Sequence, residues 1–332
     1  MSDKKRVLSC IQPTGNLHLG NYFGAVKNWV DLQEDYECFY GIVDYHAMTM
    51  PYNTKKLRNQ TWDLIIELVS CGLKPDNIFI QSLVPEHAEL CWIFNCFSAM
   101  GRVSNMTQYK DKSQNADDGF ISVGLFDYPV LQAADILIYK ADFVPVGDDQ
   151  DQHLELTREI AERFNRSVGK EHFILPKTLH SETPRIKSTA DPTRKMSKSA
   201  GEKHAIGVFA EESRIRKQIK SAVTDTGATA SDEMSAGVNN LFELLKASNS
   251  PDYDDLMKDY HSGTLQYGKL KEGTANSLVT MTSTFIENRN NILDNKKELK
   301  YQIKESSAQI RKVAQQTLHE VKDLVGLLNV KF

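Results

Sequence analysis

Cys10-Ile11-Gln12-Pro13-Thr14-Gly15-Asn16-Leu17-His18-Leu19-Gly20-Asn21-Tyr22-Phe23-Gly24-Ala25-Val26 sets the fold class. The apolar run entering it from Arg6 is short and continuous, and Pro13-Thr14-Gly15 stops it, which reads as a buried strand followed by a turn. From Gly20 onward the apolar spacing is helical. A strand end joined directly to a helix start gathers free backbone N–H groups and the positive end of the helix dipole, so the segment suits an anion, a phosphate above others. Gly20 admits close approach of a flat base to the backbone, and His18 is placed to donate to a phosphoryl oxygen. On so short a pattern alone, the better reading is that His18 is a surface residue and Gly15 serves a turn.

The segments that follow continue the alternation. Cys38-Phe39-Tyr40-Gly41-Ile42-Val43 is a second apolar strand, Lys55 to Cys71 a long amphipathic helix, and Ile78-Phe79-Ile80-Gln81-Ser82 a third strand. That order predicts an α/β fold, a parallel sheet covered by helices. Helical spacing returns over His87 to Phe97 and Tyr128 to Ile138. Val144-Pro145-Val146-Gly147 is a short strand leading into a helix from Asp149 to Asn165, and ligands of open α/β sheets lie beyond such strand ends. Past Lys195 charged helices take over, at Glu211 to Val223, Leu241 to Ala247 and Tyr301 to Leu328, with a polar loop from Thr224 to Asn239. A domain boundary falls near Gly201. The last helix carries Ile310, Val313, Thr317, Leu318, Val321, Leu324, Val325 and Leu328 on one stripe, so it is expected to dock on the body of the protein.

The chain has 332 residues, a length that suits roughly two domains, and its 40% hydrophobic and 25% charged content is that of a globular protein. A formal charge of −4 rules out nucleic-acid binding by overall charge, so any such partner is held by a local patch. The five cysteines, Cys10, Cys38, Cys71, Cys91 and Cys96, are odd in number and form no CxxC pair. They read as free thiols in a reducing compartment, and neither zinc nor an iron–sulfur cluster is expected. No apolar run is long enough to span a bilayer, and the start, Met1-Ser2-Asp3-Lys4-Lys5-Arg6, has no signal or transit character. The expected location is the cytoplasm.

A second polar segment, Arg194-Lys195-Met196-Ser197-Lys198-Ser199-Ala200-Gly201, sets two lysines three apart among small residues, in a loop able to surround a polyphosphate. A solvated charge run is the bland reading. Occurring in this order at the two ends of an α/β domain, the HLGN and KMSKS segments resemble the two signature motifs of class I aminoacyl-tRNA synthetases. Tyr128-Pro129-Val130-Leu131-Gln132-Ala133-Ala134-Asp135-Ile136-Leu137 and Val144-Pro145-Val146-Gly147-Asp148-Asp149-Gln150-Asp151-Gln152-His153-Leu154-Glu155-Leu156-Thr157-Arg158 extend the likeness to bacterial-type tryptophanyl-tRNA synthetases, from about Val7 to Asn240. Beyond Asn240 only helical character matches.

The resemblance implies a Rossmann-like parallel-sheet catalytic domain over residues 1–200, ending in the KMSKS loop, and a helical tRNA anticodon-binding domain over 201–332. It implies activation of L-tryptophan by ATP to tryptophanyl-adenylate, then transfer to tRNA(Trp), by a homodimer. Mg2+ would travel with the ATP. Gln12, Pro13, Thr14, Gly20 and Asn21 would line the ATP site, with His18 steadying the phosphates. Lys195, Met196, Ser197, Lys198 and Ser199 would form a mobile loop over the triphosphate, its lysines stabilising the departing pyrophosphate, and Lys112 would add a further contact. Gly147, Asp148 and Asp149 would face the ribose and Ile186 the adenine; taken alone, Lys112 is an ordinary surface lysine and Ile186 a core residue.

Asp135 is the candidate for amino-acid selection. An otherwise apolar helix rarely carries a carboxylate without a partner, and the indole N–H is a donor only. A substrate lacking that donor leaves the acceptor unpaired, a mismatch that gives large discrimination. The alternative is a structural aspartate bonded to a backbone N–H or a tyrosine. By resemblance His46, Tyr128, Gln132, Gln150 and Val144 or Val146 share the pocket, with Tyr128 and Gln150 near the ammonium; His46 alone would be read as a core histidine. The Tyr128, Gln132, Asp135 spacing also occurs in tyrosyl-tRNA synthetases, because Gln132 stands where many tryptophan enzymes carry Met. Asn21 after Gly20, the stretch from Val144 to Arg158 and the plain helical end favour tryptophan. Cys10 replaces the small Gly common in the family and faces the same region.

Overall fold

The computed structural model describes residues 4–107, 109–110, 121–145, 151–179, 184–224 and 234–329. Strands β1 (Arg6–Ile11), β2 (Glu37–Ile42), β3 (Ile78–Ile80), β4 (Phe143–Pro145) and β5 (Lys177–Leu179) form one parallel sheet in the order β3-β2-β1-β4-β5. β1 and β2 pair along their whole length, from Arg6 with Glu37 to Ile11 with Ile42. The strand order reverses between β1 and β4, so a crevice lies beyond their C-terminal ends, and the segment from Gln12 to Asn21 leads out of it.

Side chains alternate across the sheet because successive Cβ atoms point to opposite faces. Val7, Cys38, Tyr40, Ile42, Ile78 and Ile80 enter one core, and Leu8, Phe39 and Phe79 the other. The first core is closed by a helical segment in which α1 (Leu19–Asn21) passes through a π-helical stretch (Tyr22–Val26) into α2 (Lys27–Leu32), and by α4 (Leu57–Ser70), with α3 (Asp44–Ala47) between. The second is closed by α5 (Glu86–Asn95), α6 (Met100–Ser104), α7 (Val123–Leu137) and α8 (Asp151–Val168).

Five α-helices follow among the described residues: α9 (Glu212–Lys220), α10 (Ala236–Ala247), α11 (Tyr253–His261), α12 (Tyr267–Asp294) and α13 (Lys296–Leu324). The first core continues without a break into α9, α10 and α12 through Ile215, Leu241 and Leu278. α13 returns to the sheet and covers its β3 edge: Ser306 Oγ donates to the Ile78 carbonyl, and Ser307 Oγ accepts from the Ile80 N–H at 3.2 Å. A strand edge left open would template pairing with another chain, so this helix does for β3 what a further strand would do. Arg311 grips Glu86 through both carboxylate oxygens, at 2.8 and 3.0 Å, and fixes α13 to α5.

Several elements depart from the sequence reading. β5, α11 and the 28-residue α12 have no counterpart in it. The buried face of α12 includes Gly273, Thr274, Ala275 and Thr282, residues that give little apolar contrast; the threonine hydroxyls become compatible with burial by donating to carbonyls one turn back, Thr274 to Leu270 and Thr282 to Leu278, each at 2.8 Å. Ala236 to Asn239 is helical rather than loop, because Ser235 caps α10 by accepting from the Val238 N–H. The last helix begins at Lys296 and ends at Leu324, so Leu328, assigned to its buried stripe, lies outside it and is 98% exposed. Among the described residues no helix is long and apolar enough to cross a membrane.

Candidate active site

The turn after β1 is closed by the Thr14 N–H bonded to the Gln12 carbonyl at 2.9 Å, and Gly15 takes a φ of +138°, a conformation L side chains rarely adopt. Pro13 is buried, whereas Thr14 is exposed. His18 is buried rather than a surface residue, and it caps the helix: its Nδ1 accepts from the Asn21 N–H, and Asn21 Oδ1 accepts from the His18 N–H, both at 3.3 Å. This reciprocal pair fixes the tautomer. With Nδ1 accepting, the proton of the neutral ring resides on Nε2, which makes that nitrogen a donor. Burial first, and then the Lys198 and Lys195 charges, push the His18 pKa down to about 4, so the ring is neutral at physiological pH.

The lysine-bearing loop is anchored by its central methionine. Met196 is buried, its N–H donates to the Ile186 carbonyl at 3.3 Å, and Lys187 and Lys195 form an antiparallel bridge. Lys195 and Lys198 flank that anchor on the exposed side, and Gly201, at φ +109°, ends the loop. The two signature segments touch. A Cβ on Gly20 would stand 3.0 Å from the His18 ring and 3.1 Å from Met196 Cβ, so only glycine lets these three pack together. Leu19 N–H donates to the Ile206 carbonyl at 2.8 Å, Val208 N–H to the Leu17 carbonyl at 3.1 Å, and the Lys198 ammonium to the Asn16 carbonyl.

Deeper in the α/β body, Asp135 on α7 is 2% exposed and sits in a cradle of side chains from three other elements. Gln81 Nε2 and His87 Nδ1 donate to its Oδ1 at 2.8 and 2.6 Å, and His46 Nε2 donates to its Oδ2 at 2.8 Å. Gln81 is itself oriented by accepting from the Tyr45 N–H at 3.1 Å, and His87 Nε2 meets the Tyr139 hydroxyl at 2.7 Å. Burial pushes the Asp135 carboxyl up, but the charges and hydrogen bonds of His87 and His46 outweigh it and bring the pKa to about 2. A carboxylate offers about four lone-pair directions. Three are taken among the described residues, and the fourth, on Oδ2, suits one more donor.

His46 and Tyr128 approach edge to face, with ring centroids 6.2 Å apart, and the Tyr128 hydroxyl meets His153 Nε2 at 2.9 Å. Gln132 is half-buried one turn before Asp135, and Cys10 packs over Gly41, where any Cβ would lie 2.8 Å from its sulfur. The structure thus gathers Asp135, His46 and Tyr128 in one region, and His18, Gly20, Asn21, Met196 and Lys198 in another, both tied to the ends of β1 and β2. Ile186 is buried beside Met196. Lys112, Gly147, Asp148, Asp149 and Gln150 lie outside the described residues, as does the Ser199 side chain.

His87, Gln81 and Tyr139 escaped the sequence reading. The one available signal was a histidine in Val84-Pro85-Glu86-His87, directly at the start of an apolar helix, where a ring needs a partner if it is buried.

A parallel sheet of this order, with a strand-to-helix turn after β1 and a lysine-bearing loop in contact with it, matches the class I aminoacyl-tRNA synthetase fold. Residues 2–283 match the model of the tRNA synthetases class I (W and Y) family, and the chain belongs to that family. Within it the chain is 44% identical over 337 residues to tryptophan–tRNA ligase 2 of Streptomyces avermitilis, covering 99% of both. Among solved structures it is similar to the tryptophanyl-tRNA synthetase of Campylobacter jejuni complexed with ADP and tryptophan, with a TM-score of 0.83, 35% identity and coverage of 97% of this chain and 100% of that one. The tryptophanyl-tRNA synthetase of Mycoplasma pneumoniae gives a TM-score of 0.85 at 31% identity, covering 98% of both chains.

Proposed function

We propose that this chain is a tryptophan–tRNA ligase that activates L-tryptophan with ATP and esterifies tRNA(Trp), working in the cytoplasm. The observation that carries the reading is the Asp135 cradle: an ionised carboxylate, oriented by three donors, with one lone-pair direction left for an indole N–H. A tyrosine hydroxyl could donate to the same carboxylate, and the choice of tryptophan over tyrosine rests on the relatives, which are tryptophan enzymes along the whole chain.

The chemistry needs no protein nucleophile. A carboxylate oxygen of tryptophan attacks the α-phosphorus of ATP, the bond from that phosphorus to the β-bridging oxygen breaks, and pyrophosphate leaves with the electron pair. A terminal ribose hydroxyl of tRNA(Trp) then attacks the acyl carbon and AMP departs. Positioning and electrostatic stabilisation carry such steps. Neutral His18 donates from Nε2 as charge develops on the phosphates, and Lys195 and Lys198 stabilise the leaving pyrophosphate. Gln12, Pro13, Thr14, Gly20, Asn21, Ile186, Met196, Ser197 and Ser199 shape the ATP site, with Lys112 on the triphosphate and Gly147, Asp148 and Asp149 on the ribose. His46, Tyr128, Gln132 and Gln150 complete the tryptophan pocket. Mg2+ enters as the counter-ion of ATP, a co-substrate.

Residues 201–332 supply the tRNA-reading part, and two copies form the working unit. Supporting the dimer, Trp92, Met100 and Val123 are 72, 76 and 82% exposed, and Trp92 lines a groove of about 440 Å3 together with Met48, Cys91 and Leu131. Exposed apolar area of this kind marks an interface. Charging of a tRNA(Trp) transcript with labelled tryptophan tests the whole reading, and failure to charge it while tRNA(Tyr) is charged with tyrosine would overturn it.

A further inference from the structure

Glu67 lies in the middle of α4, outside every motif of the sequence, yet it is 2% exposed and its Oε2 accepts from the Leu17 N–H at 2.6 Å. Leu17 directly precedes His18, so this carboxylate holds the backbone of the anion-binding turn. Glu67 also lines a cavity of about 360 Å3 together with Asn16, Lys198, Glu202, Arg214 and Arg289. In that cavity the Lys198 ammonium is seated on the Asn16 carbonyl, one residue from the Glu67 anchor point. One buried carboxylate therefore faces both signature segments at their crossing.

We propose that Glu67 is a positioning residue that competes with the ATP triphosphate for Lys198, so that its charge sets how readily the lysine leaves Asn16 for the nucleotide. The proposal rests on the reading that Lys198 serves the triphosphate. Burial raises the Glu67 pKa to about 7, opposed by the Leu17 N–H and by the Lys198 and Arg289 charges, with Asp63 on its own helix adding to the rise. Glu202 and Arg214 face the same cavity from the elements packed around it. Partial burial lowers the Lys198 pKa and Arg214 adds to the fall, while the Glu67 charge acts the other way across the shared cavity. The sign follows: Glu67 gains charge between about pH 6 and about pH 8, holds Lys198 more firmly at the higher pH, and so weakens ATP binding there.

The test is tryptophan-dependent pyrophosphate exchange by the full chain at saturating Mg2+, with KM for ATP and for tryptophan measured across that pH range in wild type, Glu67→Gln, Lys198→Ala and the double variant. Glutamine keeps an acceptor for Leu17 and removes the charge. Glu67→Gln is expected to lower the ATP KM at about pH 8 by roughly three- to tenfold, the range of a coupled charge pair. It should leave the tryptophan KM unchanged, abolish the wild-type rise of ATP KM with pH, and have no such effect in the Lys198→Ala background. An unchanged ATP KM in Glu67→Gln, or an equal shift without Lys198, overturns the proposal. Should Glu67→Gln fail to fold by circular dichroism, a flat wild-type ATP KM over the range overturns it alone. A Lys198→Ala enzyme indistinguishable from wild type would instead sink the assignment of Lys198 to the triphosphate.

Discussion

His87 Nδ1 stands 2.6 Å from Asp135 Oδ1, and its other ring nitrogen meets the Tyr139 hydroxyl at 2.7 Å. The imidazole therefore sits between an acceptor and a hydroxyl inside the second core, where none of the three groups reaches water. Facing the ionised carboxylate, Nδ1 donates to it, and Nε2 meets the tyrosine hydroxyl on the other side of the ring. With His46 and Gln81 on the remaining sides, Asp135 has a single orientation, which is what a carboxylate must have to select a donor-only indole nitrogen.

Replacing Asp135 by Asn keeps the volume but removes the charge that two histidines and Gln81 surround. Asp135→Asn is expected to raise the tryptophan KM by roughly 100-fold, the weight of a buried hydrogen bond to a charged group, while the ATP KM moves by less than about threefold. Steady-state exchange kinetics with each substrate varied in turn separates the two. Equal changes in both would remove Asp135 from the tryptophan pocket.

The same carboxylate gives an acid-sensitive share of stability. Its pKa in the fold, about 2, lies below the ordinary 3.8, so the stabilisation is complete above pH 4 and is lost as the pH falls toward 2. The size is about 2 kcal/mol for a fully buried group. Urea unfolding of wild type and Asp135→Asn between about pH 5 and about pH 2.5 should show the wild-type advantage shrinking with acid; an advantage that grows on acidification would contradict it.

Gly20 is one of the contacts between the two signature segments, beside Lys198 on Asn16. A methyl there meets the His18 ring and Met196 at 3.0 to 3.1 Å, and the ring is the softer neighbour. Gly20→Ala is expected to displace His18 and lower kcat for adenylate formation by about 10- to 100-fold, with a Tm change of only a few degrees, since no buried contact is lost. A large loss of Tm with unchanged kcat would show that Gly20 serves packing alone.

Lys195 lies on the exposed side of the Met196 anchor and makes no part of the core. Lys195→Ala should slow adenylate formation by about 100-fold with little change in tryptophan KM, because a charge that acts on the departing pyrophosphate contributes in the transition state. Single-turnover formation of tryptophanyl-adenylate is the direct readout. A rise in tryptophan KM with normal turnover would contradict this role.

Ending the chain before Lys296 removes α13, which buries Leu299, Ile303, Ile310, Ala314, Leu318 and Val321 and covers the β3 edge. The five larger aliphatic side chains contribute about 1.5 to 3 kcal/mol each on burial, a sum of about 8 to 15 kcal/mol that is comparable with the whole 5 to 15 kcal/mol stability margin of a typical domain. Such a truncated chain should aggregate on expression, measured by light scattering of the soluble fraction. A monodisperse, active product would mean that the edge needs no cover.

β1 to β4 and the helices beside them were legible because their apolar runs and glycine or proline stops are local signals, whereas three-residue β5 carries no such run. Gln12 to Asn21 and Arg194 to Gly201 were legible for the same reason, as short segments whose chemistry lies in adjacent residues. The cradle was not. His46, Gln81, His87 and Asp135 come from four segments, and nothing in the spacing of a lone histidine or glutamine tells which carboxylate it meets. Glu67 was invisible because an acidic residue in an amphipathic helix reads as solvated, whereas its partner is a backbone N–H fifty positions away. α12 was missed through its threonines, whose burial depends on hydroxyls bonded within the helix itself.

The most direct test of tryptophan activation is amino-acid-dependent exchange of labelled pyrophosphate into ATP, with the purified full chain and Mg2+, comparing tryptophan, tyrosine and no amino acid. Exchange with tryptophan and none above background with tyrosine is the expected result. Exchange driven by tyrosine, or by neither amino acid, would contradict the assignment of Asp135 and its cradle to the indole.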